Sequence, residues 1–285
     1  MQPYPQFPRT AVAGVSMPRM LVGTNWLLGY SHTSAAADAQ IRAAYTEPED
    51  FLPIFETYLA YGIDAVMGPL KEFPRGADTF HCAQEKLGQK LIIIDTPVLN
   101  LEDSPKARAE CEAYFKWSAA QGSTFCLLHH SSGEKLLNKF SETIERLDDY
   151  TKMIRDAGMI PGLSCHMPEM VLYADRQGAD VETYIQIYNP LGFLMQTEIE
   201  NVARIINAAK RPVMTIKPMA AGRCTPYVGL NFVYNTIRPR DMVTVGALNA
   251  REAQEDIEIA LGAIERRWPE LGKRQSPAKQ AVLGA

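Results

Sequence analysis

Leu91–Thr96 reads LIIIDT, and Thr124–His129 reads TFCLLH after a helical stretch that closes at Gly122. Both runs are almost continuously apolar and too short for helices. A strand wet on one face alternates polar with apolar, whereas a strand covered on both faces does not. Two such strands joined through a helix spell a right-handed βαβ unit of a parallel sheet. Working outward, the same alternation recurs. Ahead of the pair lie Arg19–Thr24 (RMLVGT) and then Ile63–Met67, reached through a helix over Glu49–Tyr61. Behind it come Ile160–Cys165, after a predicted helix over Glu134–Ala157, then Glu182–Tyr188 (ETYIQIY) and Pro212–Lys217 (PVMTIK). The last is Met242–Gly246 (MVTVG), followed by a helix over Ala250–Arg267. Gly62, Gly122 and Gly158 stand just past helix ends, where a left-handed cap needs no Cβ. Eight strand–helix units without a shift in composition predict an α/β fold, a single (β/α)8 TIM barrel. It forms one domain over 1–285, with the barrel from about residue 18 to about residue 268 and short tails at both ends. A doubly wound open sheet is the alternative.

Composition narrows the function classes. The 285 residues are 46% hydrophobic and 22% charged, enough apolar material for a large core. A net charge of −4 and a pI near 5.8 leave no footprint for nucleic acid or an anionic membrane. No apolar run reaches the length of a membrane span, and MQPYPQFPRT does not read as a signal peptide. Five scattered cysteines without a CxxC spacing read as reduced thiols, hence a cytoplasmic protein. The expected partner is a small-molecule ligand, and homo-oligomerisation stays open.

In a barrel the active site is built from strand carboxyl ends and the loops after them. The polar residues there are Asn25 and Trp26 after the first strand, Glu72 after the second and Asp95 closing the third. His129 and His130 end the fourth strand, Ser164 and His166 the fifth, Gln186, Tyr188 and Asn189 the sixth, Lys217 the seventh, and Asn249 follows the eighth. Strand alternation puts His129 and His130 on opposite faces, so one of them points inward. Asp95 at the end of an apolar strand must be paired or hydrogen-bonded. It is a structural partner of a backbone amide or histidine, a general base, or an orienter of His129. Asp95, His129 and His166 would be the ligands if a divalent metal is bound. Lys217 is a structural lysine, an anion contact or, if desolvated, a Schiff-base amine.

Four longer stretches carry a resemblance. They are PGLSCHMPEMVLYADRQGADVETYIQIYNPL (Pro161–Leu191), VMTIKPMAAGR (Val213–Arg223), VTVGALNAREAQEDIEIAL (Val243–Leu261) and, more loosely, MPRMLVGTNWLLG (Met17–Gly29). Their order and spacing resemble the aldo-keto reductases over nearly the whole chain. That resemblance implies NAD(P)H-dependent reduction of a carbonyl, with a Tyr as proton donor, a Lys and an Asp tuning it, and a His orienting substrate. Position by position, the Asp falls on Met67, the Tyr on Glu72 and the Lys on Pro97; the His matches His129. Met67 and Pro97 carry no ionisable group, so the ordinary reductase mechanism is not expected. On the cofactor side, Ser164 and Gln186 match the positions that hold the nicotinamide amide, and Lys217 lies beside the one facing the pyrophosphate. The residues that would grip a 2′-phosphate correspond to Gly246 and Glu252, with Arg251 adjacent.

The leading expectation is a divergent enzyme of this type acting on a small polar, sugar-like molecule by acid–base chemistry. His129 is its acid/base, assisted by Asp95 and His166, with Glu72 a second acid. Asn25, Ser164, Gln186, Asn189, Lys217 and Asn249 would supply polar contacts, and Trp26 and Tyr188 an apolar platform. Two alternatives stay open: an NAD(P)-dependent oxidoreductase with a non-standard proton donor, and a non-catalytic ligand-binding barrel.

Overall fold

The computed structural model describes residues 4–71 and 76–271. Eight parallel strands close a barrel: β1 Met20–Gly23, β2 Ala65–Gly68, β3 Ile92–Asp95, β4 Ser123–Leu128, β5 Ile160–Cys165, β6 Tyr184–Ile187, β7 Val213–Ile216 and β8 Met242–Val245. Neighbours in sequence are neighbours in space, and β8 returns to β1 with Val243 opposite Met20 and Val245 opposite Val22. Closure leaves no strand edge unpaired. Around the strands run α1 Ala35–Ala44, α2 Leu52–Ala60, α3 Gly76–Leu87, α4 Pro105–Ala120, α5 Leu147–Asp156, α6 Glu169–Gln177, α7 Ile199–Ala208, α8 Pro226–Thr236 and α9 Ala250–Glu265.

The local signals are those of the sequence. Ser104 accepts from Ala107 N to cap α4, Pro105 occupies its first turn, and Gly122 behind it adopts φ +91°. Alternation along each strand then sorts the core into two layers. Leu21, Met67, Ile94, Phe125, Leu127, Ile185, Met214 and Met242 fill the barrel interior. Val22, Val66, Ile93, Leu128 and Val243 face the helices. Met67, where the resemblance expects an aspartate, is thus part of the packed interior.

Two segments depart from the sequence expectation. Residues 9–18, read as part of a tail, form an antiparallel hairpin, Arg9–Val12 with Val15–Pro18. Its Val12 and Met17 are 1% and 0% exposed and pack against the interior layer, so the hairpin floors the amino-terminal end of the barrel. The continuous helix expected over Glu134–Ala157 is instead a helical turn His130–Gly133, a 3-10 turn Glu134–Leu136, a short hairpin Leu137–Asn138 with Thr143–Ile144, and only then α5. Asn138 Oδ1 accepts from Phe140 N and Ser141 N, and Glu142 and Arg146 take positive φ. Those turn geometries end a helix, and they outweigh the helix-forming residue types around them.

Candidate active site at the carboxyl-terminal mouth

Three imidazoles meet at the ends of β4 and β5. The rings of His130 and His166 are stacked with centroids 3.4 Å apart and planes 14° from parallel, and the His129 ring lies 4.2 Å from that of His130. Alternation places only one of His129 and His130 inward, yet both rings gather here. β4 ends at Leu128, and His129 becomes the cap of the His130–Gly133 turn, so the strand rule lapses one residue earlier than expected.

Glu134 anchors this group. Its Oε1 accepts from His166 N and Met167 N at 2.6 and 2.7 Å, and its Oε2 stands 3.9 Å from His130 Nδ1. Burial works against the charged carboxylate, but His130 and the two amides hold its pKa below the ordinary range. His129 Nδ1 lies 2.8 Å from Ser131 Oγ and accepts from Ser131 N. An accepting Nδ1 assigns the proton of the neutral ring to Nε2. Burial, then the neighbouring His130, brings the His129 pKa down to about 4. Burial, then His130, brings His166 to about 3. His129 and His166 are therefore neutral at pH 7.

Lys217, just past β7, completes the mouth. Its backbone adopts φ +60°, a left-handed conformation costly for any residue with a Cβ. Its Nζ lies 2.8 Å from His32 Nε2, and burial lowers the ammonium pKa to about 8. His32 sits in the loop after β1, also at positive φ, and burial with the charges of Lys217 and Arg223 brings it to about 4. Both His129 and His166 feel the Lys217 charge. Arg223 lies over the Phe193 ring, 3.8 Å from its centroid.

The remaining sequence-predicted residues are held elsewhere. Asp95 faces outward: it accepts from Leu70 N, from Tyr114 OH and, at 2.6 Å, from Ser118 Oγ on α4. Burial pushes its pKa up to about 6 against those bonds. It therefore neither orients His129 nor converges with His129 and His166 as a ligand set. The physical reason is parity: Ile94 points in, so Asp95 points out. Among the described residues, no group of three or more His, Cys, Asp or Glu side chains is arranged to hold a metal ion. Trp26 is buried between Tyr45, Phe51 and Phe55 and donates to Gly23 O, so it offers no platform. Tyr188 is buried outside the barrel, bonded to Thr236 Oγ1. Asn189 shapes its own loop through Leu191 N, Phe193 N and Phe193 O. Asn249 caps α9 through Glu252 N. Asn25 is exposed in the loop after β1, and Ser164 is buried at the end of β5. Glu72 lies outside the described residues. His32 and Glu134 carry no periodic or motif signal, and Arg223 only closes the stretch Val213–Arg223; their loops bring all three in.

The nicotinamide grip does not fit these residues. Gln186 is fully buried, with its Nε2 against His166 O and Ile187 O and its Oε1 without a partner among the described residues. Glu252, which the resemblance sets at the 2′-phosphate grip, is a carboxylate instead of a cation and accepts from Leu248 N.

With that geometry established, the comparisons locate the fold. The molecule is a (β/α)8 barrel with a histidine-rich mouth. More particularly, its fold is that of the aldo-keto reductases. A Pseudomonas aeruginosa structure assigned to those enzymes is matched with a TM-score of 0.68, 13% identity, and coverage of 92% of this chain and 98% of that one. The holo form of a Bacillus halodurans aldo-keto reductase is matched at 0.61 and 10% identity, over 95% and 99%. Orotidine 5′-monophosphate decarboxylase of Methanocaldococcus jannaschii is matched at 0.54 and 16% identity, over 86% and 99%. No family model and no curated protein matches the sequence. Likeness at such identities is likeness of fold, which hosts unrelated chemistries.

Proposed function

We propose that the protein is an enzyme that moves protons on a small polar, sugar-like molecule at the carboxyl-terminal mouth of the barrel, without a nicotinamide cofactor. The convergence of His129, His130 and His166 beside Lys217 and His32 supports this reading. A neutral imidazole is the side chain best suited to accept a proton at pH 7, and its remaining N–H can donate a hydrogen bond. His166, neutral at pH 7, is the base; His129, with Nδ1 occupied by Ser131 and Nε2 bearing the proton, donates a hydrogen bond to the substrate oxygen on which charge develops. Lys217 and Arg223 make this end cationic and suit an anionic or electron-rich oxygen of the substrate. Isomerisation, epimerisation and elimination all fit such a pair. Met67, packed in the interior, cannot tune a proton donor, and the closed Gln186 and Glu252 sites argue against hydride transfer.

The test follows carbon-bound hydrogen. The full chain in deuterated buffer is mixed with a panel of hydroxy-carbonyl compounds and sugar phosphates, and proton NMR follows exchange next to the carbonyl. Exchange of at least one compound is expected, falling by about 100-fold or more in His129→Ala. Exchange that is unchanged in His129→Ala and His166→Ala, or absent across the panel, overturns the reading.

A further inference from the structure

We propose that Lys217 is a covalent nucleophile: its Nζ, held against His32 Nε2 at the barrel mouth, forms a Schiff base with the carbonyl carbon of a small oxo-acid. This rests on the acid–base reading of the mouth and names its substrate class. Three observations carry it. The amine sits at a strand end on a left-handed backbone, a strained placement that presents it to the mouth instead of letting it extend into solvent. Its hydrogen-bond partner is an imidazole at 2.8 Å, and no carboxylate is within ion-pair distance of it among the described residues. An ammonium locked to a carboxylate is a poor nucleophile, whereas one beside a neutral base can release its proton. His32 from the loop after β1 bonds it, its charge reaches His129 after β4 and His166 after β5, and Arg223 and Asp38 act in turn on His32. With burial bringing Lys217 to about 8, a usable fraction of free amine exists at neutral pH.

The step balances without an external reagent. The ammonium gives one proton to His32 Nε2, and the freed Nζ lone pair adds to the carbonyl carbon. The second Nζ proton passes to the former carbonyl oxygen to make the carbinolamine hydroxyl, which takes the first proton back from His32 and leaves as water, with His129 Nε2 donating a hydrogen bond to that oxygen. One C–N double bond replaces one C–O double bond, and nothing is oxidised or reduced. The resulting iminium withdraws electrons from the neighbouring C–H bond, which gives the His129–His166 pair an acidified proton to move. Arg223, beside His32 and free of any carboxylate partner among the described residues, suits the carboxylate of an oxo-acid.

Trapping tests this directly. The full chain is incubated with pyruvate and sodium borohydride, and intact mass and peptide mapping locate the product. A single reduced pyruvate adduct on Lys217 is expected, lost in Lys217→Arg and slowed several-fold in His32→Ala. Acetaldehyde as the probe should label Lys217 more slowly, since it lacks the carboxylate. Thermal melts of both variants establish that they are folded. No adduct, or adducts spread over other lysines at equal rate, overturns the proposal. If carbon–hydrogen exchange persists in Lys217→Arg while trapping fails, the covalent step falls and the acid–base reading stands. If trapping succeeds while His129→Ala leaves exchange untouched, the reverse holds.

Discussion

The imidazole of His166 lies flat on that of His130, 3.4 Å between centroids and 14° from parallel. Burial, then the neighbouring His130, disfavours the cationic form of His166 in that stack. His129 and His32 sit at about 4 and His166 at about 3, against an ordinary 6.5. Between those values the unfolded chain binds protons that the folded chain refuses. Stability from these histidines is therefore complete above pH 6.5 and lost as the pH falls toward 4. Asp95 and Asp256, raised to about 6 and 7, work in the opposite direction over part of that range. The clean measurement is a difference: urea midpoints of wild type and His166→Gln from pH 7 to 4. The variant should lose less stability on acidification, and parallel curves would contradict the depressed values.

Glu134 holds the end of β5 through two main-chain amides. Glu134→Ala leaves both without their partner and should cost about 1–3 kcal/mol. At about 2–4 °C per kcal/mol for a chain of this size, a melting curve resolves it. Glu134→Gln keeps an acceptor oxygen and should recover most of the loss. Equal loss in both variants would mean that charge, not acceptance, is what matters.

Asp95 is a structural group in this geometry. Asp95→Ala strands Leu70 N, Tyr114 OH and Ser118 Oγ in a buried site and should lower stability by about 1–3 kcal/mol. Activity per folded molecule, including trapping at Lys217, should be unchanged. A large loss of activity in protein that melts like wild type would return Asp95 to the catalytic group.

Met17 in the floor hairpin is fully buried against the barrel interior. Met17→Ala should destabilise by about 2–5 kcal/mol, read as a lower denaturant midpoint. A neutral effect would show that the hairpin is dispensable to the core.

NADPH should not bind, because the residue that the resemblance sets at the 2′-phosphate grip is a carboxylate, Glu252, bonded to Leu248 N, and Gln186 is buried. Titration should leave nicotinamide fluorescence unchanged. Saturable enhancement would reinstate the oxidoreductase alternative.

The sequence by itself determined the barrel. Runs such as LIIIDT and TFCLLH are continuously apolar because both their faces are covered, and that signal is local to each strand. It also placed His129, His166 and Lys217 at strand ends, and set Met67 and Pro97 at positions where the resemblance expects ionisable groups. The tertiary structure decided which strand-end residues face one another. Asp95 and Tyr188 stand at the expected positions but point to the helices by strand parity, and Trp26 is taken into the core. His32 and Glu134 enter from loops whose paths obey closure and turn geometry, not any period of the chain. Periodicity reports what a strand buries, whereas a site at the mouth depends on contacts between residues more than a hundred positions apart, such as Lys217 with His32, separated by 185.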